Sequence, residues 1–231
     1  MEANVFESSI YFGVLLSLGS YGIGMWLKRL TGWGFMNPLF VSIVLVIAIL
    51  QLMGIDYDHY NQGADIITYL LTPSTICLAV PLHEQMQLLK HNMKAVMVGI
   101  VTGVLSSVVC ILLLAMLMQL DHTSYVTFLP KSITTAIGIG VSQELGGYVS
   151  ISVAVIIITG VIGGIFAEKW FKLLRITEPI ARGIALGASA HAIGTAKAME
   201  LGPVEGTMSS LSIVVCGIVT VAVAPFFAAL L

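Results

Sequence analysis

Three stretches of this 231-residue chain set hydroxyl, amine and imidazole groups inside otherwise apolar sequence. The densest is Gly183-Ile-Ala-Leu-Gly-Ala-Ser-Ala-His-Ala-Ile-Gly-Thr-Ala-Lys197, where Ser189, His191, Thr195 and Lys197 interrupt a run of Gly and Ala. His191 and Thr195 are four apart and share a face wherever that stretch is helical. Histidine's ordinary pKa lets it exchange protons near neutrality. His191 is therefore a candidate for substrate binding and for proton coupling; a hydrogen-bonded core histidine is the competing reading. The second stretch, Leu129-Pro-Lys-Ser-Ile-Thr-Thr-Ala136, offers Lys131, Ser132, Thr134 and Thr135, with Glu144 further on. An ammonium at a bilayer centre costs at least about 2.5 kcal/mol and marks function by default, whereas one near a segment end snorkels to the interface. Glu144 reads as a lysine's partner, a proton or ion carrier, or the exposed end of a hairpin. The third stretch, Leu71-Thr-Pro-Ser-Thr-Ile76, gathers Thr72, Ser74 and Thr75 around Pro73. Proline frees a carbonyl, and the half-helix beyond it presents N–H groups to an anion; the alternative is a kinked packing helix whose hydroxyls bond back to their own backbone. Donors with small side chains, together with the candidate cations Lys131 and Lys197, suit a small carboxylate. No second His or Cys stands at metal-ligand spacing, and no nucleophile–base pair is recognisable. Neither an enzyme nor a cofactor is expected.

The elements that must hold these residues are membrane helices. Hydrophobic residues make up 58% of the chain and charged residues only 10%, against about 25% charged in an ordinary soluble domain. Mean hydropathy is +1.00. A soluble enzyme and a disordered chain are excluded, and the net charge of −2 leaves no basic footprint for nucleic acid. At about 20 apolar residues per span, residues 1–231 make one polytopic membrane domain of roughly seven to eight segments. Cys77, Cys110 and Cys216 all sit in apolar stretches and are expected to be buried, inert thiols. The start Met-Glu-Ala-Asn carries no basic n-region, so no cleaved signal peptide is expected.

Apolar runs occupy residues 5–27, 37–53, 66–82, 95–118, 129–147, 148–167, 183–199 and 208–231, with an acidic loop at 54–65 and a charged, interfacial helix at 168–182. Eight of the ten basic residues fall in three connections: Lys28 and Arg29; Lys90 and Lys94; Lys169, Lys172, Arg175 and Arg182. The positive-inside rule makes these cytoplasmic and puts the N-terminus outside. Between the outside loop 119–128 and the inside segment 168–182 only an odd number of crossings fits. Segment 129–147, broken by Pro130, Gly138 and Gly140, is expected to be a re-entrant hairpin. Two triplets then run in opposite senses, 37–53, 66–82, 95–118 and 148–167, 183–199, 208–231, each with an interrupted middle member. That pattern points to an inverted repeat with a site near the midplane.

Several strings in the chain resemble the LrgB/CidB family: Asn37-Pro-Leu39, Leu71-Thr-Pro-Ser-Thr-Ile-Cys-Leu-Ala-Val-Pro-Leu82, Leu129-Pro-Lys-Ser-Ile-Thr-Thr135, Pro179-Ile-Ala-Arg-Gly-Ile-Ala185 and Gly187-Ala-Ser-Ala-His-Ala-Ile-Gly-Thr-Ala-Lys197, with Glu205-Gly-Thr-Met-Ser-Ser-Leu211. The resemblance covers nearly the whole chain and adds Asn37 to the candidate substrate-binding residues. It implies a bacterial inner-membrane protein, a holin-like LrgA/CidA partner, a homodimer as in other carriers of the fold group, and interrupted helices in an inverted repeat as in cation/proton antiporter and bile-acid symporter folds. It also implies two functions. One is a carrier for pyruvate, glycolate or lactate, since the resemblance extends to the membrane half of the plastidic glycolate/glycerate transporter. The other is an antiholin-like regulator of murein hydrolase activity and autolysis that transports nothing.

Overall fold

The computed structural model describes residues 11–31, 37–70, 73, 76–77 and 79–231. All regular structure among them is α-helical, and the chain forms two compact units, Met1–Cys77 and Leu78–Leu231.

The first unit contains α1 (Phe12–Thr31), α2 (Pro38–Met53) and α3 (Tyr57–Tyr69). Its helices meet through small residues. A Cβ on Gly13 would strike the backbone of Tyr60 to Ala64, and one on Gly24 would lie 2.6 Å from the Pro38 carbonyl oxygen. Ser17 Oγ and Tyr60 Oη lie 2.7 Å apart and fix α1 on α3. Residues 54–65 are therefore not the expected acidic loop. Most of them are the start of α3, which carries Asp58 and Asp65 outward while Gly63 faces α1.

The second unit is built around α5 (Met86–Met118), α8 (Val149–Leu173) and α10 (Pro203–Ala228), preceded by the short α4 (Ala79–Glu84). These three are the helices among the described residues long and apolar enough to cross a membrane. Val96, Ile100 and Val104 of α5 pack with Met208 and Cys216 of α10 in the main core. The separate interfacial helix expected at 168–182 is absent: α8 continues to Leu173, because nothing in its last turns breaks a helix, and ends with Ile176 N bonded back to Phe171 O.

Between α5 and α8 the chain folds back on itself. Asp121 caps α6 (His122–Phe128), accepting from Ser124 N at 3.3 Å, and the Ser124 hydroxyl and backbone hold its carboxyl below the usual range. A turn at 129–134 leads into α7 (Thr135–Glu144), which returns to the starting end. Three contacts close this first hairpin. A Cβ on Gly138 would meet Pro130 Cβ at 3.6 Å, Tyr148 N donates to Thr127 Oγ1 at 2.8 Å, and a Cβ on Gly147 would lie 3.1 Å from the Thr127 backbone. The chain folds back in this region, but residues 129–147 supply only the turn and the returning arm; the first arm is α6, inside what reads from sequence as a loop. Ser132, at the tip, lies 3.2 Å from Ser107, about 16 Å along α5 from Met118. The hairpin therefore stops part-way.

The polar segment at 183–199 does not cross, contrary to expectation. It belongs to α9 (Pro179–Leu201), whose helix is broken at His191, with φ 41° and ψ −132°. The arm after the break runs back along the arm before it. A Cβ on Gly194 would strike Leu186 O, Thr195 Oγ1 lies 2.7 Å from Ser209 Oγ, and Gly183 and Met199 both pack on the first turns of α10. In a straight helix residues 183 and 199 would stand about 24 Å apart. The second hairpin therefore enters and leaves at one end, and segment 200–207 lies beside 168–182: Lys197 Nζ is 2.6 Å from Glu168 Oε1, and Arg182 is 3.9 Å from Glu205. Reading 183–199 as the middle crossing of a triplet puts 200–207 on the opposite side from 168–182; hydropathy does not reveal a helix reversing inside the segment. If these helices span a bilayer, impermeant maleimide should label Thr177→Cys and Pro203→Cys from one face and His122→Cys from the other, in a chain with its native cysteines replaced. Pro203→Cys labelling together with His122→Cys would contradict the second hairpin.

Candidate functional site

The two hairpins enter from opposite ends, one from the C-terminal end of α5 and one from the C-terminal end of α8, and their tips approach each other beside α5. Small residues permit this. A Cβ on Gly103 would lie 3.4 Å from Ala188 Cβ, and Gly163 faces Ala190 across α8, where a Cβ would approach to 2.6 Å. Glycine and alanine give helices in lipid their closest backbone approach.

Alongside the tips lies a cavity of about 820 Å³. Lys131 and Ser132 come from the first tip, Ala188 and Ser189 from the second, and Ser106, Ser107 and Cys110 from α5. Lys131 Nζ donates to Ser132 Oγ at 2.9 Å, and Ser132 Oγ lies 3.2 Å from Ser107 Oγ. Among the described residues no carboxylate lies within ion-pair distance of Lys131. Lys131 sits at the hairpin tip and faces this cavity. Next to it, Thr134 occupies the N-cap position of α7 without a side-chain cap bond, and Thr135 begins the helix. The first N–H groups of α7 therefore have no intrahelical partner, the condition that favours an anion at a helix start. An ammonium and several hydroxyls form an electropositive, hydrogen-bonding corner in otherwise apolar surroundings.

Other candidates lie elsewhere. Lys197 belongs to the base of the second hairpin, bound to Glu168 at 2.6 Å and Glu200 at 3.1 Å; it is a structural cation, not a second charge for the cavity. Glu144 is exposed at the base of the first hairpin. Asn37 caps α2 in the first unit, its Oδ1 accepting from Leu39 N at 2.9 Å. Thr72, Ser74 and Thr75 lie outside the described residues. Ser189 faces the cavity while its hydroxyl donates to Ala185 O at 2.6 Å. Thr195 is buried against Ser209.

Sequence inspection missed Ser106, Ser107 and Cys110, which are read there only as part of an apolar span. The available signal was the run of small or polar side chains at 99, 103, 106, 107 and 110, one helix face at i, i+3 and i+4 spacing. Cys110 and Cys77 are exposed and Cys216 is buried, so only Cys216 fits the expectation of buried thiols.

His191 is buried and does not line the cavity. Its Nε2 lies 2.9 Å from Ile156 O, and its ring fills the notch left by Gly160. A positive φ at a histidine costs of order 1–3 kcal/mol and persists only where its surroundings over-determine it; the ring's bond and the notch supply that. A Cβ on Gly160 would sit 2.6 Å from His191 Cε1 and 2.8 Å from Ile193 Cδ1. Gly160→Ala is therefore expected to destabilise the protein, since overpacking costs about 1–3 kcal/mol against roughly 1 kcal/mol of helix propensity gained. His191→Ala in the same background should restore part of the loss in a thermal melt. A melt raised by Gly160→Ala alone would contradict the ring's position.

Comparison with known proteins agrees with the resemblance. The LrgB-like family matches residues 17–230. Antiholin-like protein LrgB of Bacillus subtilis (strain 168) is 40% identical over 224 residues, covering 96% of this chain and 97% of that protein. No solved structure matches. With both the family match and this relative spanning nearly its full length, the chain belongs to the LrgB-like family.

Proposed function

We propose that this membrane protein is a carrier for small monocarboxylates of the pyruvate, glycolate or lactate type, residing in a bacterial inner membrane and acting alone or with an LrgA/CidA-like partner. One observation carries the reading. Among the described residues Lys131 stands at a hairpin tip without a carboxylate partner, with Ser106, Ser107 and Ser132 around the same cavity. An ammonium held in apolar surroundings is costly unless an anion completes it. One cation suits one carboxylate, and the hydroxyls suit the oxygen on the neighbouring carbon of a 2-oxo or 2-hydroxy acid. Two hairpins that enter from opposite ends and meet beside the site are the elements that alternating access uses when one repeat moves against another. In this reading the inverted relation lies between the hairpins of the second unit rather than between the triplets expected from hydropathy.

A second reading draws on the name of the Bacillus subtilis relative, Antiholin-like protein LrgB. It is a regulator of envelope permeability and murein hydrolase activity that engages a holin-like partner and moves no substrate. A carrier is stabilised by its substrate through mass action; a pure adaptor is not.

Proteoliposomes holding the protein, with its partner where required, should accumulate labelled pyruvate, glycolate or lactate. Pyruvate should raise the melting temperature of the purified protein. Losing a charge-assisted hydrogen bond is worth about 1.5–3 kcal/mol, so Lys131→Met should weaken apparent affinity roughly tenfold to a hundredfold. Lys197→Met, which removes only the hairpin-base ion pairs, should retain substrate affinity wherever it folds. Of the two coupling candidates, His191 lies by the tips and Glu144 at an exposed base; His191→Gln should flatten the pH dependence of uptake and Glu144→Gln should not. Stabilisation by no acid in the panel, with intact partner binding, would favour the regulatory reading.

A further inference from the structure

The cavity beside Lys131 is much larger than a three-carbon acid needs. At about 820 Å³ it falls in the range of roughly 300–1,000 Å³ that encloses drug-sized ligands. Its lining follows α5 from Asn92 to Cys110, about 27 Å of helix. Chemistry is unevenly placed along it. Lys131, Ser132, Ser107 and Cys110 cluster towards one end, and Glu178 and Asn92 lie towards the other. Between them the wall is Ala95, Gly99, Gly103, Ile180, Ile184 and Ala188. This wall is open: a Cβ on Gly99 would meet only Ile184 side-chain atoms, at 3.6 and 3.8 Å. Lys131 is the only cation among the described lining residues.

We propose that this trough binds monocarboxylates with an extended apolar tail, 2-oxo acids of up to about eight carbons, gaining the roughly 0.8 kcal/mol that each buried methylene is worth. The carboxylate lies on Lys131 and Ser132, and the tail runs along the Gly99–Ile184 wall. The inference rests on the reading of Lys131 as the carboxylate's partner and extends it to ligand size. A chain with a second carboxylate gains nothing, because that group would meet either the apolar wall or Glu178. The site therefore selects for a single charge at one end while remaining permissive in length.

The test is the chain-length dependence of binding to the whole protein in lipid nanodiscs, with partition into empty nanodiscs subtracted. Pyruvate, 2-oxobutanoate, 2-oxohexanoate and 2-oxooctanoate are titrated in turn, with 2-oxoglutarate as the doubly charged control. The methylene value corresponds to a Kd falling about fourfold per carbon at RT of roughly 0.59 kcal/mol. 2-Oxoglutarate should bind no tighter than pyruvate. Gly99→Leu fills the trough and should abolish the chain-length gain; Ala95→Leu supplies the same test if the first variant does not fold. Pyruvate binding with a flat series overturns this inference alone. Equal tightening in the wild-type protein and both leucine variants also overturns it, since the gain would then come from elsewhere. Failure of every acid to bind overturns both this inference and the carrier reading beneath it.

Discussion

A helical hairpin that ends inside an apolar layer must satisfy its tip without water. The reversal exposes the last carbonyls of one arm and the first N–H groups of the next, and each unsatisfied group costs several kcal/mol in hydrocarbon. Much of the second unit answers this demand. Ser152 Oγ lies 2.8 Å from Thr127 O and 2.7 Å from Ser142 Oγ, tying α8 to both arms of the first hairpin. Tyr125 Oη donates to Phe227 O at 2.9 Å and fixes the first arm to α10. In the second hairpin the Thr195–Ser209 contact joins the returning arm to α10, and the His191 ring reaches Ile156 O on α8. The small residues follow from the same constraint, because hydroxyls can serve neighbouring backbones only where helices nearly touch.

The same constraint sorts the charged residues. Lys197, Glu168, Glu200, Arg182 and Glu205 gather where the second hairpin enters, and they pair with one another. Lys131 does not. It lies at the tip of the first hairpin, and its donor goes to a serine rather than a carboxylate. Position along a hairpin separates a structural lysine from a site lysine: Lys197 is six residues past the break at His191 and back at the base, whereas Lys131 is in the turn itself.

Sequence reading found the residues more readily than their arrangement. Membrane class, the three long spans, a fold-back in the region of 129–147 and the polar strings around Lys131 and His191 all follow from hydropathy, charge and Pro/Gly placement. The reversal at His191 did not, because Gly183 to Lys197 contains no proline and the break falls on His191 rather than on one of its glycines. Gly160, about thirty residues earlier, provides the notch that stabilises the turn, and no local pattern links the two. Once that reversal is missed, the side of 200–207 and the role of Lys197 are misread together. Ser106 and Ser107 escaped notice for the opposite reason: their spacing was visible, but the strong hydropathy of α5 masked it.

The site depends on α9 turning back at His191, which brings the second tip to it. Oxidative cross-linking of Thr195→Cys with Ser209→Cys, in a chain lacking its native cysteines, tests that reversal most directly. The two hydroxyl oxygens lie 2.7 Å apart, so a disulfide should form and shift the protein's electrophoretic mobility until reduced. A straight helix would carry residue 195 about 12 Å further along from its neighbour at 187, beyond a disulfide's reach of about 7 Å between Cα atoms. Absence of the cross-link in folded protein would contradict the hairpin and the site built on it.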